Sequence, residues 1–485
     1  MSYLVVDVGT SSIRTCIVRS DGRIDRESRV ESLPSTPFAG LVEFDPVAMM
    51  KSVLDAATAT IRVGGPVDGI GIANQRGSTV IWDASTGFPL GPGLGWQDLR
   101  TIGACLEMKE QGFAIPPNAS ATKISHLLDL HDVNRKNVNI RFGTIDSWIV
   151  WNLTQGTTHV TDATNAGATS LVAPGSAGLI WRDEVLEALK IPHAVLPNIV
   201  DSFGIVGEAS ALPGSPPIAA LLGDQQASLF GQGCVLPGDT KATFGTGAMI
   251  DVVVGPGPPA ILARSVEGTI PIATSQRRGT VTWGVEAIML SAGSCVEWLR
   301  DDLAIIASSE DSAAVAQECD DTAGVIFVPA LLGIATPHWD YGARGTLVGM
   351  TRGTGRSHVV RAVLEGVALH GADLVKAATR DSGAEIVRIR IDGGMSANPV
   401  FVQAFADACD LPVLVSAVTE ATALGAGLGA SLALGTLPTP QAIAELTQPS
   451  HVVEPSSRAE SFRDRWDDAV ERSRKWIPAL SALDF

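Results

Sequence analysis

Apolar runs of strand length, each closed by glycine and hydroxyl residues, recur along the chain and alternate with longer small-residue segments. Residues 3–8 form one such run, broken only by Asp7, and after Gly9-Thr10-Ser11-Ser12 a second run covers residues 13–18. With the turn Ser20-Asp21-Gly22-Arg23 behind them, these predict consecutive hairpins. Further strands are predicted over 69–73 and 80–83, and a small-residue run ending at Ala220 reads as a buried strand leading into Gly223-Asp224. Residues 142–153 predict an amphipathic helix capped by Asp146 or Ser147, and 161–166 a loop helping to line a cleft.

The second half repeats this plan. Gly238-Asp239-Thr240 opens a strand over 241–244, the turn Gly245-Thr246-Gly247-Ala248 follows, and another strand covers 249–254. Two copies of strand, Gly-Thr turn and strand suggest a duplicated fold with a phosphate-binding hairpin in each half. A strand over 389–392 ends at Gly393-Gly394, and Asn398-Pro399 form the N-cap and N1 pair of the next helix. A small-residue helix suited to tight packing begins near Thr419, and Phe462, Trp466 and Val470 mark a charged amphipathic helix lying on the body.

At 485 residues the chain exceeds the roughly 250–300 at which one core stops growing, so two domains with a cleft between them are expected. A formal charge of -17 argues against a nucleic-acid partner or an anionic membrane surface, so any anion must be held by local donors. The apolar stretch 421–435 is short of the roughly 20 residues that span a bilayer. Six scattered cysteines without a C-x-x-C pair, and no secretory pattern at Met1, predict reduced thiols in a cytoplasm. The eight histidines form no metal-spaced pair.

Candidate chemistry centres on Asp224. An Asp between glycine and a helix-like segment is commonly a cap, but these apolar flanks also suit a carboxylate that faces a cleft and takes a proton. Asp7 followed by Gly9-Thr10-Ser11-Ser12 offers N–H groups and hydroxyls to phosphate and a carboxylate to a metal, although an ordinary tight hairpin has the same form. Arg76, Trp96 and Asp98 supply forked donors, an aromatic face and an acceptor for an uncharged polyol; the alternative is an Arg76–Asp98 ion pair beside a core indole.

Taken in order, these residues resemble the FGGY carbohydrate kinases, most closely their glycerol kinase-like members. The resemblance rests on D-V-G-T-S-S-I-R from Asp7, N-Q-R from Asn74, W-Q-D-L-R-T from Trp96, F-G-T-I-D-S-W from Phe142 and G-D-Q-Q-A-S-L-F-G-Q from Gly223. It continues through F-G-T-G from Phe244, P-H-W-D-Y-G-A-R-G from Pro337 and D-G-G-M-S-A-N from Asp392, covering nearly the whole chain. It implies an α/β protein of two ribonuclease H-like, actin/hexokinase-type lobes with a central cleft. The expected division is 1–231 for substrate and base, 232–440 for ATP, and 441–485 as a C-terminal helical segment.

By the same resemblance Asp224 is the general base, with Gln225 beside it on the substrate, and Asp7 orders Mg2+. Thr10, Ser11, Ser12 and Arg14 match the first phosphate hairpin, and Thr246 and Gly247 the second. Gly293, Gly394 and Asn398 match positions around the nucleotide, as does Glu297, where glycerol kinases usually carry Gln. Arg76 and Trp96 match substrate contacts, and Asp98 is assigned to the same pocket. Gly77 stands where glycerol kinases have Glu, Asn118 where they have a substrate-contacting Tyr, and His126 where they have Trp. Losing an acceptor and an aromatic wall widens the pocket and removes a hydrogen bond worth about 0.5–1.5 kcal/mol.

The resulting expectation is a kinase that phosphorylates a primary hydroxyl of a small neutral polyol, glycerol-like or of four to five carbons, using ATP and Mg2+. A ketopentose kinase of xylulokinase type is the alternative. A nucleotide-dependent sensor ATPase without sugar chemistry is the competing class, in which Arg76, Trp96 and Asp98 would be incidental. Homo-oligomeric assembly is left open.

Overall fold

The computed structural model describes residues 1–259, 263–456 and 463–484. The opening hairpins form as the pattern predicts: Ser2–Val8 pairs antiparallel with Ser12–Arg19, which pairs antiparallel with Ile24–Glu31. On the other side of Ser2–Val8, Gly69–Asn74 and then Pro217–Gly223 run parallel to it, and Phe203–Glu208 closes the sheet antiparallel. Alternate residues of Ser2–Val8 enter opposite cores: Leu4, Val6 and Val8 one, Tyr3 and Val5 the other. A strand covered on both faces needs a continuous apolar run, which is what residues 3–8 supply.

A second sheet has the same plan. Thr280–Met289, Ala248–Gly255 and Thr240–Phe244 run antiparallel, Ile389–Asp392 and Val413–Ser416 continue parallel to Thr240–Phe244, and Pro449–Val453 closes the edge antiparallel. Ile270–Arg277 is an added strand on the hairpin side. The shared order establishes the duplication expected from the two Gly-Thr turns and gives the two ribonuclease H-like lobes. The second core joins this sheet to helices Gly293–Asp301, Arg356–Ser382 and Pro399–Cys409.

Several local expectations are corrected. Residues 161–166 are not a loop: strand Val160–Asp162 pairs with Asn198–Val200, and helix Ala163–Gly167 follows, capped by Asp162. Helix Ile145–Leu153 has Thr144 at its N-cap with no side-chain bond to the helix backbone, and it is buried all round except at Asn152. Asp146 instead accepts from Thr144 Oγ1, Thr161 Oγ1 and Asp162 N, so its carboxylate is fastened inside the lobe rather than at a helix end.

Chain order also crosses the expected boundaries. Helix Ala421–Ala433, in the second half, packs on the first sheet and joins its core with Ala423, Leu424, Ala426 and Leu428. Its glycines allow this: a Cβ at Gly425 would overlap the Ala227 carbonyl, and one at Gly427 the Val18 side chain. The segment beyond 440 is not only helical, because Pro449–Val453 is an edge strand. Trp466 and Val470 of helix Arg463–Ser473 are buried as expected, while Phe462 lies outside the described residues. Among the described residues no helix is long and apolar enough to cross a membrane, and Cys16, Cys105, Cys234, Cys295 and Cys319 are free thiols.

Candidate active site

Three neighbouring parallel strands deliver the chemistry to one edge of the first sheet. Asp7 lies near the end of Ser2–Val8, Arg76 just beyond Gly69–Asn74, and Asp224 directly after Pro217–Gly223, where it opens helix Asp224–Gly231. Carboxyl ends of parallel strands are the usual ligand edge of such sheets. The Asp224 side chain stays about a third exposed, at 32%, and its Oδ1 accepts from Gln225 N at 2.8 Å. Arg76 Nε stands 3.7 Å from Asp224 Oδ1. Gly223 lets the arginine stem pass, since a Cβ there would meet Arg76 Cγ at 2.7 Å.

Arg76 also crosses to the second lobe, donating from Nη2 to Glu286 Oε2 at 2.6 Å. Burial lowers the guanidinium pKa, but Glu286 and Asp224 outweigh it and hold Arg76 charged. Beside this pair, Lys241 bridges Asp251 at 2.9 Å and Gln225 Oε1 at 2.9 Å, with the Lys241 and Asp251 side chains fully buried. Burial pushes the Asp224 carboxyl pKa up, and Arg76, the Gln225 N–H and Lys241 pull against it. A carboxylate made more basic yet kept partly open has the character of a proton acceptor.

Asp7 is more enclosed. Burial pushes its pKa up to about 7, Arg14 pulls it down, and the charge of Asp224 pushes it up again. A carboxylate raised by burial and by a neighbouring carboxylate's charge is an oxygen donor of the kind a divalent cation takes. Arg14 itself is held among carboxylates, 3.8 Å from Asp7, 3.1 Å from Glu27, and paired with Glu420. In the first hairpin Gly9 N bonds Ser12 O at 3.0 Å, Ser11 is exposed, Ser12 Oγ accepts from Arg29, and Thr10 Oγ1 accepts from Trp96 Nε1 at 3.0 Å.

The second lobe gathers its own glycine positions. Thr246 is exposed at the turn, and Ala292 N, Gly293 N and Ser294 N bond back to the Thr246 and Gly245 carbonyls, seating the start of helix Gly293–Asp301 against the hairpin. A Cβ at Gly247 would meet Met289 O at 2.6 Å, and one at Gly293 would meet Gly245 O at 2.5 Å. Gly394 faces open space, and Glu297 is exposed on the same helix as Gly293. Asn398 caps its helix as expected, accepting from Val400 N and Phe401 N, and its Nδ2 donates to Ser312. At the junction of the lobes a cavity of about 130 Å³ is lined by Gln225, Ser228, Thr243, Asp392, Gly393 and Thr422. A larger one of about 320 Å³, beside helix Arg463–Ser473, shares none of these residues.

The proposed substrate residues divide. Trp96 joins the site through Thr10, but Asp98 does not face it: fully buried, it accepts from Val42 N and from Arg100 N, Nε and Nη2. The ion partner of Asp98 is thus Arg100, not Arg76, because both of its oxygens are taken within the loop. Gly77 has a left-handed φ of 74°, and a Cβ there would meet the Asn118 carbonyl at 2.5 Å. Two of the positions that depart from the glycerol kinase pattern, Gly77 and Asn118, therefore touch each other. Sequence reading missed Glu286, Lys241 and Asp251; for Asp251 and Glu286 the available signal was a carboxylate inside a largely apolar strand.

Residues 2–231 match the FGGY family of carbohydrate kinases, N-terminal domain, and 241–434 its C-terminal domain. The chain belongs to the FGGY family of carbohydrate kinases, and it is an ATP-dependent phosphotransferase with an alcohol group as acceptor. A relative described as glycerol kinase, from Aromatoleum aromaticum, is 38% identical across 99% of this chain and 100% of its own length. The crystal structure of Plasmodium falciparum glycerol kinase with ADP superposes with a TM-score of 0.90 at 28% identity, over 97% of this chain and 98% of that one. A ligand-bound xylulose kinase from Lactobacillus acidophilus shares the fold, with a TM-score of 0.87 at 21% identity over 99% and 98%.

Proposed function

We propose that the protein transfers the γ-phosphoryl group of ATP to a primary hydroxyl of a small neutral polyol, with Asp224 as general base. The observation that carries this reading is the half-open Asp224 at a strand end, beside Arg76, with Arg76 and Gln225 tied to the facing lobe through Glu286 and Lys241. Asp224 takes the proton of the attacking hydroxyl as the new O–P bond forms and the bond to the ADP oxygen breaks; a placed base contributes about 10²- to 10⁴-fold. Arg76 and Gln225 orient the hydroxyls, and Trp96 supplies an apolar wall. The turn at Thr246 and Gly247, the start of the helix at Gly293, and Gly394 receive the nucleotide, with Thr10, Ser11 and Ser12 on the opposing hairpin. Asp7 is the residue that would hold Mg2+, whose role is to neutralise phosphate charge.

The substrate follows from the pocket. Gly77 cannot carry the Glu seen in glycerol kinases without displacing the Asn118 backbone, so this wall offers one acceptor fewer. A polyol of four or five carbons fits better than glycerol. ATP consumption measured against glycerol, four- and five-carbon polyols and pentuloses tests this. A longer polyol should give the highest kcat/KM; ATP turnover indifferent to every polyol and sugar would contradict the reading.

A further inference from the structure

We propose that Lys123 is a positioning residue that clamps the two loops forming the substrate wall. This rests on reading Trp96 and Asn118 as that wall. Lys123 lies in the first turn of helix Ala121–His131, and its side chain is fully buried. Its Nζ donates to the carbonyls of Trp96 at 3.1 Å, Pro117 at 2.9 Å and Ala119 at 3.4 Å. An ammonium has three hydrogens to give, and here they meet one carbonyl on the Trp96 loop and the two that flank Asn118. Charge is thereby spent on backbone oxygens, where a carboxylate partner would be the ordinary arrangement for a buried lysine.

The clamp is part of a wider stitch. Ser120 Oγ donates to Gly77 O at 3.0 Å, Trp96 N to Ser78 Oγ at 3.1 Å, and Trp96 Nε1 to Thr10 Oγ1 at 3.0 Å. The loops carrying Gly77, Trp96 and Asn118 thus move together, and the phosphate hairpin is joined to them through the indole. Asp98 from the Trp96 loop and Cys105 from helix Ile102–Glu110 face Lys123, and Arg100 already occupies Asp98. Burial pushes the Lys123 ammonium down to about 8. A neutral amine keeps two N–H donors, so above that pH one carbonyl of the wall loses its partner.

The test pairs steady-state kinetics with hydrogen exchange on the full chain, using Lys123→Met, which keeps the apolar stem. Exchange should quicken in both loops, 94–101 and 113–120, the polyol KM should rise about tenfold, and the ATP KM should stay within about twofold. Unchanged exchange in either loop, unchanged polyol KM, or polyol and ATP KM rising in parallel would each overturn the proposal. Should the variant not fold, the unmodified protein serves: its polyol KM should climb from pH 7 to 9 while its ATP KM stays level, and a level polyol KM overturns the clamp. A protein that phosphorylates no polyol but whose variant loosens both loops would sink the pocket reading and leave the clamp standing.

Discussion

Arg76 acts in both lobes, and Glu286 decides where it points. With one guanidinium shared between Asp224 at 3.7 Å and Glu286 at 2.6 Å, loss of the Glu286 charge removes the partner that holds Arg76 over the base. A hydrogen bond to a charged group is worth about 1.5–3 kcal/mol, so Glu286→Gln should raise the polyol KM about tenfold or more. Kinetics at saturating ATP check this, and an unchanged polyol KM would place Arg76 outside substrate binding. Asp224 by itself has the setting of a common helix cap, and it was the ordered run of motifs around it that marked it as the candidate base. Glu286, Lys241 and Asp251 were not, because only the register of the neighbouring strands Thr240–Phe244, Ala248–Gly255 and Thr280–Met289 sets them side by side, and only the fold brings Arg76 to Glu286. Asp98 misled for the opposite reason: motif position suggested the pocket, while its own loop consumes both oxygens.

Helix Ala421–Ala433 shows what periodicity reads and what it leaves out. Its small residues announced close packing, but not against which sheet, since the partner elements lie some two hundred residues or more upstream in the chain. Gly425 and Gly231 face the opposing backbones of this helix and helix Asp224–Gly231. Gly425→Ala should therefore destabilise the fold by about 1–3 kcal/mol or more, since the overlap is with backbone and not with a movable side chain. Because helix Asp224–Gly231 carries the base, kcat should fall as well. A denaturant midpoint equal to wild type would contradict this packing. The same blindness to long-range pairing explains why 161–166 was read as loop: strand Val160–Asp162 exists only through its bridge to Asn198–Val200.

For the whole molecule, the duplicated architecture was legible from two short Gly-Thr turns, because each must follow a strand and open a hairpin for its motif to work. The domain boundaries were less so, since helix Ala421–Ala433 returns to the first lobe. Buried carboxylates also tune the stability of the whole. Asp146 is pushed up to about 7 by burial and then by the charge of Asp162, against its hydroxyl and backbone donors. Its folded pKa exceeds the unfolded value, so the folded state binds the extra proton: the contribution is full below about pH 4 and is lost as pH rises to about 7, at up to about 1.4 kcal/mol per unit. Denaturant midpoints from pH 4 to 7 should fall less steeply in Asp146→Asn than in wild type, and equal slopes would contradict the assignment.

The most direct measurement of the account is phosphoryl transfer by Asp224→Asn at saturating polyol and ATP, read beside nucleotide affinity. The base assignment predicts that kcat drops by about 10²-fold or more with ADP and ATP affinity unchanged. Phosphorylation near the wild-type rate by that variant would contradict it.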